Sequence, residues 1–156
     1  IFAAKFKVGH IQAYKGSYAG IPINRTLYAG GSNSVRGWSS NQLVPKENKL
    51  IEGLQDKGGT FLLESSVEYR YRFLENVGTA LFFDVGNTWL GYQQFRFDEI
   101  AQAIGFGFRY YTEVAPFRID FGFKFYDPDV KKYIWDTWDK RFFKNFQFHF
   151  GIGEAF

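Results

Sequence analysis

From Phe61 to Phe73 the chain alternates with a period of two, for longer than the roughly 5 to 6 residues of an ordinary soluble strand. Phe61, Leu63, Val67, Tyr69, Tyr71 and Phe73 fall on one side, and Leu62, Glu64, Ser66, Glu68, Arg70 and Arg72 on the other. Successive side chains of a strand point to opposite faces, so this segment has one aromatic and one charged face. Five further segments repeat the pattern. Phe2, Ala4, Phe6 and Val8 lead the first; Leu81, Phe83 and Val85 oppose Ala80, Phe82, Asp84 and Gly86. Ile104, Phe106, Phe108 and Tyr110 oppose Gly105, Gly107 and Arg109, and Phe117, Ile119, Phe121, Phe123 and Phe125 oppose Arg118, Asp120, Gly122 and Lys124. The last sets Phe146, Phe148, Phe150, Ile152 and Phe156 against Gln147, His149, Gly151, Gly153 and Ala155.

Such a sheet needs a different solvent on each side. Aromatic residues make up 22% of the chain and charged residues another 22%, so disorder is excluded and the two classes must be segregated. No apolar run approaches the roughly 18 residues of a membrane helix. Aromatics toward lipid and charges toward a watery lumen account for both faces at once, as in an outer-membrane barrel. A soluble barrel around a ligand cavity is the alternative, and extraction without detergent would reveal it. The connections favour the membrane: residues 74–76 and 112–114 are tight turns, whereas residues 15–57, 90–100 and 127–144 are long. A strand of about 12 residues rises about 40 Å and, tilted by about 40°, covers about 30 Å of bilayer.

The fold expected is therefore all-β, a transmembrane antiparallel barrel. Six strands cannot close one, since single-chain bacterial barrels begin at about 8. Residues 1–156 are expected to form the C-terminal part of one larger barrel domain, with the long loop 15–57 folding into the lumen. The first residues read as a chain beginning in mid-barrel, and Phe156 as the end of an aromatic strand of the kind that carries an assembly signal.

Within the long loop stands Leu27-Tyr28-Ala29-Gly30-Gly31-Ser32-Asn33-Ser34-Val35-Arg36-Gly37-Trp38. Locally this is a glycine-rich turn with one arginine. It could form an anion-binding nest, although no helical run with a lysine follows it. Gly30, Gly31, Val35, Arg36, Gly37 and Trp38 together resemble the sixth extracellular loop of the BamA/TamA superfamily of outer-membrane barrels, whose signature is Val-Arg-Gly followed by an aromatic. Further matches follow in order. Gly58-Gly59 leading to Val67-Glu68-Tyr69 resembles that family's twelfth strand, and Phe82-Phe83-Asp84-Val85-Gly86, with Phe82 and Gly86 at its motif positions, resembles the thirteenth. Gly105 to Arg109 and Ala115 to Gly122 are similar to the fourteenth and fifteenth. Trp38 stands where Phe or Tyr is more frequent and still supplies an aromatic anchor.

The resemblance implies that this chain holds the C-terminal six strands of a sixteen-stranded barrel in the bacterial outer membrane. It implies that the loop arginine pairs with lumen carboxylates, so Arg36 is the expected cation. Glu68 and Asp84, which alternation alone places on the charged face of adjacent strands, are the expected anions. It further implies an assembly factor that inserts client β-barrel proteins through a lateral seam between first and last strands. Phe146, Phe148, Phe150, Gly151, Gly153 and Phe156 would form one side of that seam, its glycines weakening the strand. Implied partners are outer-membrane lipids and lipopolysaccharide, client barrels and accessory lipoproteins. Two-partner secretion pores and the barrel anchors of some patatin-like phospholipases share features of this loop and form the alternative reading.

Enzymatic chemistry finds no constellation. The chain has no cysteine, and His10 and His149 lie apart without a nucleophile around either. Asp127-Pro128-Asp129 reads as a turn rather than a calcium loop. No catalytic residue, metal or cofactor is expected, and a net charge of +3 from scattered residues argues against nucleic acid. Residues 131–143 mix basic and aromatic side chains and are expected to anchor at the outer interface or touch lipopolysaccharide phosphates.

Overall fold

The computed structural model describes residues 1–14, 16–136 and 145–156. Alternation produces one open antiparallel sheet. Its strands are β1 (Phe2–His10), β2 (Phe61–Arg72), β3 (Val77–Trp89), β4 (Ala101–Tyr110), β5 (Phe117–Asp127), β6 (Lys132–Tyr133) and β7 (Phe146–Ile152). β1 to β5 pair in sequence order, and the remaining edge of β5 carries β6 at one end and β7 along the rest. Among the described residues, helical structure comprises one turn, α1 (Lys46–Lys49), residues 134–136 and short 3-10 segments in the loops. Among the described residues no helix is long and apolar enough to cross a membrane.

Register explains the two faces. Leu81, Phe106, Phe121 and Phe148 lie in one row across four strands, with the Phe106 and Phe121 rings stacked at 5.1 Å. This aromatic face is uncovered: Phe148 and Phe150 are more than half exposed, as are Phe2 and Phe6. The other face is covered by the long loop. On it Glu64, Glu68, Asp84, Arg109, Arg118 and Asp120 are all buried. A water-soluble domain distributes these residue types the other way round. Small residues make the cover possible: Ala80, Ala101, Ala103, Gly105, Gly107 and Gly122 share the covered face, and the loop's Ala29, Val35, Trp38 and Leu43 cluster with Ala101, Ala103 and Leu62.

Two expectations about the strands need correction. A seventh strand exists, because residues 128–131 turn back at Asp127-Pro128-Asp129 and pair Tyr126 with Tyr133 and Asp127 with Lys132. The last strand is shorter than alternation suggests. It stops at Ile152, so Gly153 and Phe156 lie beyond it. Gly153 takes φ +87°, a left-handed conformation that glycine adopts without steric cost and that ends the pleat. Of the interface loop expected over 131–143, residues 137–143 lie outside the described residues; Tyr133 and Trp135 within it stack at 4.7 Å.

Taken as lipid-facing, the uncovered row makes a direct prediction. Phe106→Arg, in mid-strand on that face, is expected to destabilise the full-length barrel in lipid vesicles by about 2–4 kcal/mol, read from urea unfolding. An unchanged midpoint would mean that water, not lipid, meets this face.

Candidate functional site

The turn at residues 30–38 is fixed first by its own backbone. Gly31 N–H donates to the Trp38 carbonyl at 3.0 Å, Ser34 N–H to Gly31 at 3.0 Å and Trp38 N–H to Val35 at 3.2 Å. Gly30 and Gly31 have φ of +96° and +108°, and a Cβ on Gly30 would lie 2.7 Å from the Ser39 carbonyl oxygen. Only glycine fits both constraints. The tight double turn drives Val35 and Trp38 into the loop core and presents Arg36 to the sheet.

Arg36 is 1% exposed and meets three carboxylates. Its Nε donates to Asp84 Oδ2 at 2.9 Å and one terminal nitrogen to Asp84 Oδ1 at 2.9 Å, a two-pronged pairing. The other terminal nitrogen lies 2.7 Å from Glu68 Oε2 and 3.4 Å from Asp120 Oδ2. The Arg36 backbone N–H adds a bond to Asp84 at 3.1 Å, and Ser66 also donates to Asp84. The guanidinium lies 3.4 Å from the centre of the Phe82 ring, a cation–π contact made where water is excluded. Burial disfavours the charge. The hydrogen bonds and charge of Asp84, with the charges of Glu68 and Asp120, outweigh it and hold Arg36 above the ordinary arginine pKa.

Neighbouring loop residues reach the other strands. Lys5 of β1 donates to the Asn33 carbonyl at 2.5 Å, Ser34 donates to Glu64 of β2, and Arg118 of β5 donates to the Asn33 side chain. A Cβ on Gly37 would stand 3.0 Å from that of Ala103 in β4, and His149 of β7 contacts the Arg36 carbonyl at 2.9 Å. A carbonyl only accepts, so the His149 Nε2 must donate. This one turn thus touches every long strand and β7. Close approach is essential: a Cβ on Gly122 would lie 2.0 Å from the Arg36 carbonyl oxygen.

Of the residues expected from sequence, Gly30, Gly31, Val35, Arg36, Gly37, Trp38, Phe82, Glu68 and Asp84 come together here. Gly86 pairs with Glu64 one row away. Phe146, Phe148 and Phe150 lie on the opposite face; Gly151, on the covered face of β7, leaves room for the Arg118 side chain, whose Nε would be 2.6 Å from a Cβ there. Sequence reasoning did not assign Asp120, Arg109 or Arg118 to the site. All three stand on the charged face by alternation, but adjacency of strands points only to Glu68 and Asp84, whereas Arg36 also reaches Asp120 on β5. Arg109 bridges Glu68 at 3.1 Å and Asp120 at 2.6 Å, closing a ring of ion pairs with Arg36. Chemically the arrangement holds a loop in place; its carboxylates are saturated by arginines.

Removing one partner from such a buried set strands the others. Arg36→Ala is expected to cost the full-length protein about 3–5 kcal/mol in urea unfolding. Gly122→Ala, which changes no charge, should cost about 1–3 kcal/mol or more by lifting the loop backbone off β5. Parent-like stability for both variants would show that the loop does not rest on the sheet.

Comparison with known proteins fits this geometry. A family model described as the Omp85 superfamily domain matches residues 1–156. Over 106 residues the chain is 27% identical to an outer membrane protein assembly factor BamA of Nitratidesulfovibrio vulgaris, covering 66% of this chain and 13% of that protein. The crystal structure of BamA from Haemophilus ducreyi lacking POTRA domains 1-3 shares the fold with a TM-score of 0.62 at 17% identity, over 96% of this chain and 30% of that one. The chain therefore spans well under half the length of either. It belongs to the Omp85 superfamily and carries strands of a BamA/TamA-type β-barrel of the bacterial outer membrane.

Proposed function

We propose that this chain is the C-terminal part of a sixteen-stranded barrel that inserts client β-barrel proteins into the outer membrane, with β7 as one side of a lateral seam. The observation that carries the reading is the state of the sheet edge. β7 pairs with β5 along one side, and among the described residues no strand pairs with its other side. In lipid, unpaired N–H and C=O groups are costly, so that edge needs a strand partner at all times. A client strand has the same need as it enters the bilayer, and edge pairing satisfies both. β7 is also shorter than each of β1 to β5. It has seven residues, includes Gly151 and ends at the Gly153 turn.

The covered face is then the barrel lumen, with residues 16–57 folded into it and Arg36, Glu68 and Asp84 as its anchor. The assembly-factor name of the relative from Nitratidesulfovibrio vulgaris supports assembly over the secretion-pore and phospholipase-anchor readings. Client barrels and accessory lipoproteins are the protein partners on this reading. On this reading lipid contacts the aromatic face and lipopolysaccharide the outer rim, which the stack of Tyr133 on Trp135, with Phe125 at 5.5 Å from Trp135, supports.

Cysteines paired between β7, for example at Phe148, and the facing first strand of the full-length protein test the seam. Oxidation should stop client insertion into vesicles and reduction should restore it. Insertion at the parent rate with the bridge closed contradicts the proposal.

A further inference from the structure

The loop anchor and the chain beyond β7 share their partners. Glu68 uses one oxygen for Arg36, at 2.7 Å, and the other for Arg70 and Arg109, at 2.9 and 3.1 Å. Those two arginines also hold Glu154: Arg109 Nε lies 3.3 Å and Arg70 Nε 3.5 Å from Glu154 Oε2. Arg70 donates in addition to the Phe156 carbonyl at 3.1 Å. The Phe156 ring sits 5.5 Å from the Arg70 guanidinium and 5.4 Å from the Lys5 ammonium, and Ala155 is 7% exposed. After the Gly153 turn, residues 154–156 thus leave the β7 edge and lie on the covered face as far across as β2 and β1. A second tie runs directly from β7, through His149 to the Arg36 carbonyl.

We propose that Glu68 joins loop and tail into one cooperative unit, so that seating of Arg36 fixes residues 153–156 and with them the end of the last strand. The reason lies in how the charge is divided. Arg36, Arg70, Arg109 and Arg118 face Glu68, Asp84, Asp120 and Glu154, four cations against four anions. When Arg36 withdraws, three cations remain for four carboxylates, and one carboxylate must give up its share. Glu68 and Asp120 have fully buried side chains and Asp84 is 1% exposed, whereas Glu154 is 24% exposed. Hydration compensates only Glu154, so Arg70 and Arg109 turn wholly to Glu68 and Asp120 and the tail is released. Loop position and tail position are then linked in both directions, as any coupling between two equilibria must be.

The consequence for client insertion rests on the seam reading: the loop would set how ordered the end of the seam strand is. The coupling itself needs no client and is tested separately. In full-length protein otherwise free of cysteine, held in membranes, Ala155→Cys reports on the tail and Ala80→Cys, fully buried in β3, on the sheet. Maleimide labelling at 155 should be slow in the parent and rise about tenfold or more in Glu154→Gln. Arg36→Gln, which removes the cation, should raise it comparably, and combined with Glu154→Gln should exceed Glu154→Gln alone by little, with position 80 protected throughout. Labelling at 155 that stays at the parent rate in Arg36→Gln overturns the proposal. So does a rise at 80 together with 155, which would show general loosening of the sheet. A seam that fails its crosslinking test leaves this result unaffected.

Discussion

A guanidinium taken out of water costs several kcal/mol, and it persists only where its full complement of hydrogen bonds is met. Arg36 meets that condition through a loop and three strands that are far apart in sequence: Asp84 on β3, Glu68 on β2 and Asp120 on β5. No local segment could supply these partners. The pairing therefore exists only when the sheet has formed, and the loop is seated only when the pairing exists. The same constraint fixes the neighbours. Each carboxylate retains an oxygen or lone pair that a single arginine cannot satisfy, so Arg109, Arg70 and Arg118 are drawn in and the pairs become a network. In a network, the loss of one member is felt by all, because the remaining charges have no water to turn to.

Geometry had to permit the network before charge could form it. The loop backbone lies against the pleat because β5 carries Gly122 where a side chain would stand, and Gly105 and Gly107 on β4 leave room for the side chains around it. Gly105 makes room for the Phe82 ring, Gly107 for the Asp120 and Arg109 contact, and Gly122 for the Arg36 carbonyl. Phe82 then serves as the floor on which the guanidinium stacks. The stretch of small residues that weakens a strand by propensity is here what lets a second layer approach. Lipid on the opposite face supplies the rest of the logic. With aromatics turned outward, the covered face is left to polar groups, and these must satisfy one another.

Much of this was legible in the residues. Period-two alternation located all the long strands, since side-chain direction along a strand depends on the backbone alone. The placement of Glu68 and Asp84 on the loop side came from the same rule, and resemblance supplied Arg36 as their cation. The short β6 was not legible, because two residues carry no periodicity. Asp120 and Arg109 were visible as charges on the right face, but their partnership depends on how far the loop reaches, which no strand pattern encodes. The tail holds a signal that strict alternation overlooked. Continuing β7 past Gly153 would have put Glu154 on the aromatic face beside Ile152, a charge facing lipid. That cost argues for the turn the chain takes at Gly153, after which Glu154 joins the arginines.

The site holds a loop against the sheet and, on the coupling proposed above, also sets where a strand end lies. All of this depends on Arg36 and Asp84 acting as one interaction. A double-mutant cycle in lipid vesicles, comparing Arg36→Ala, Asp84→Ala and both together by urea unfolding, measures it directly. The double variant is expected to be less destabilised than the sum of the singles by about 2–3 kcal/mol. Additive losses, with no coupling beyond about 0.5 kcal/mol, would contradict it.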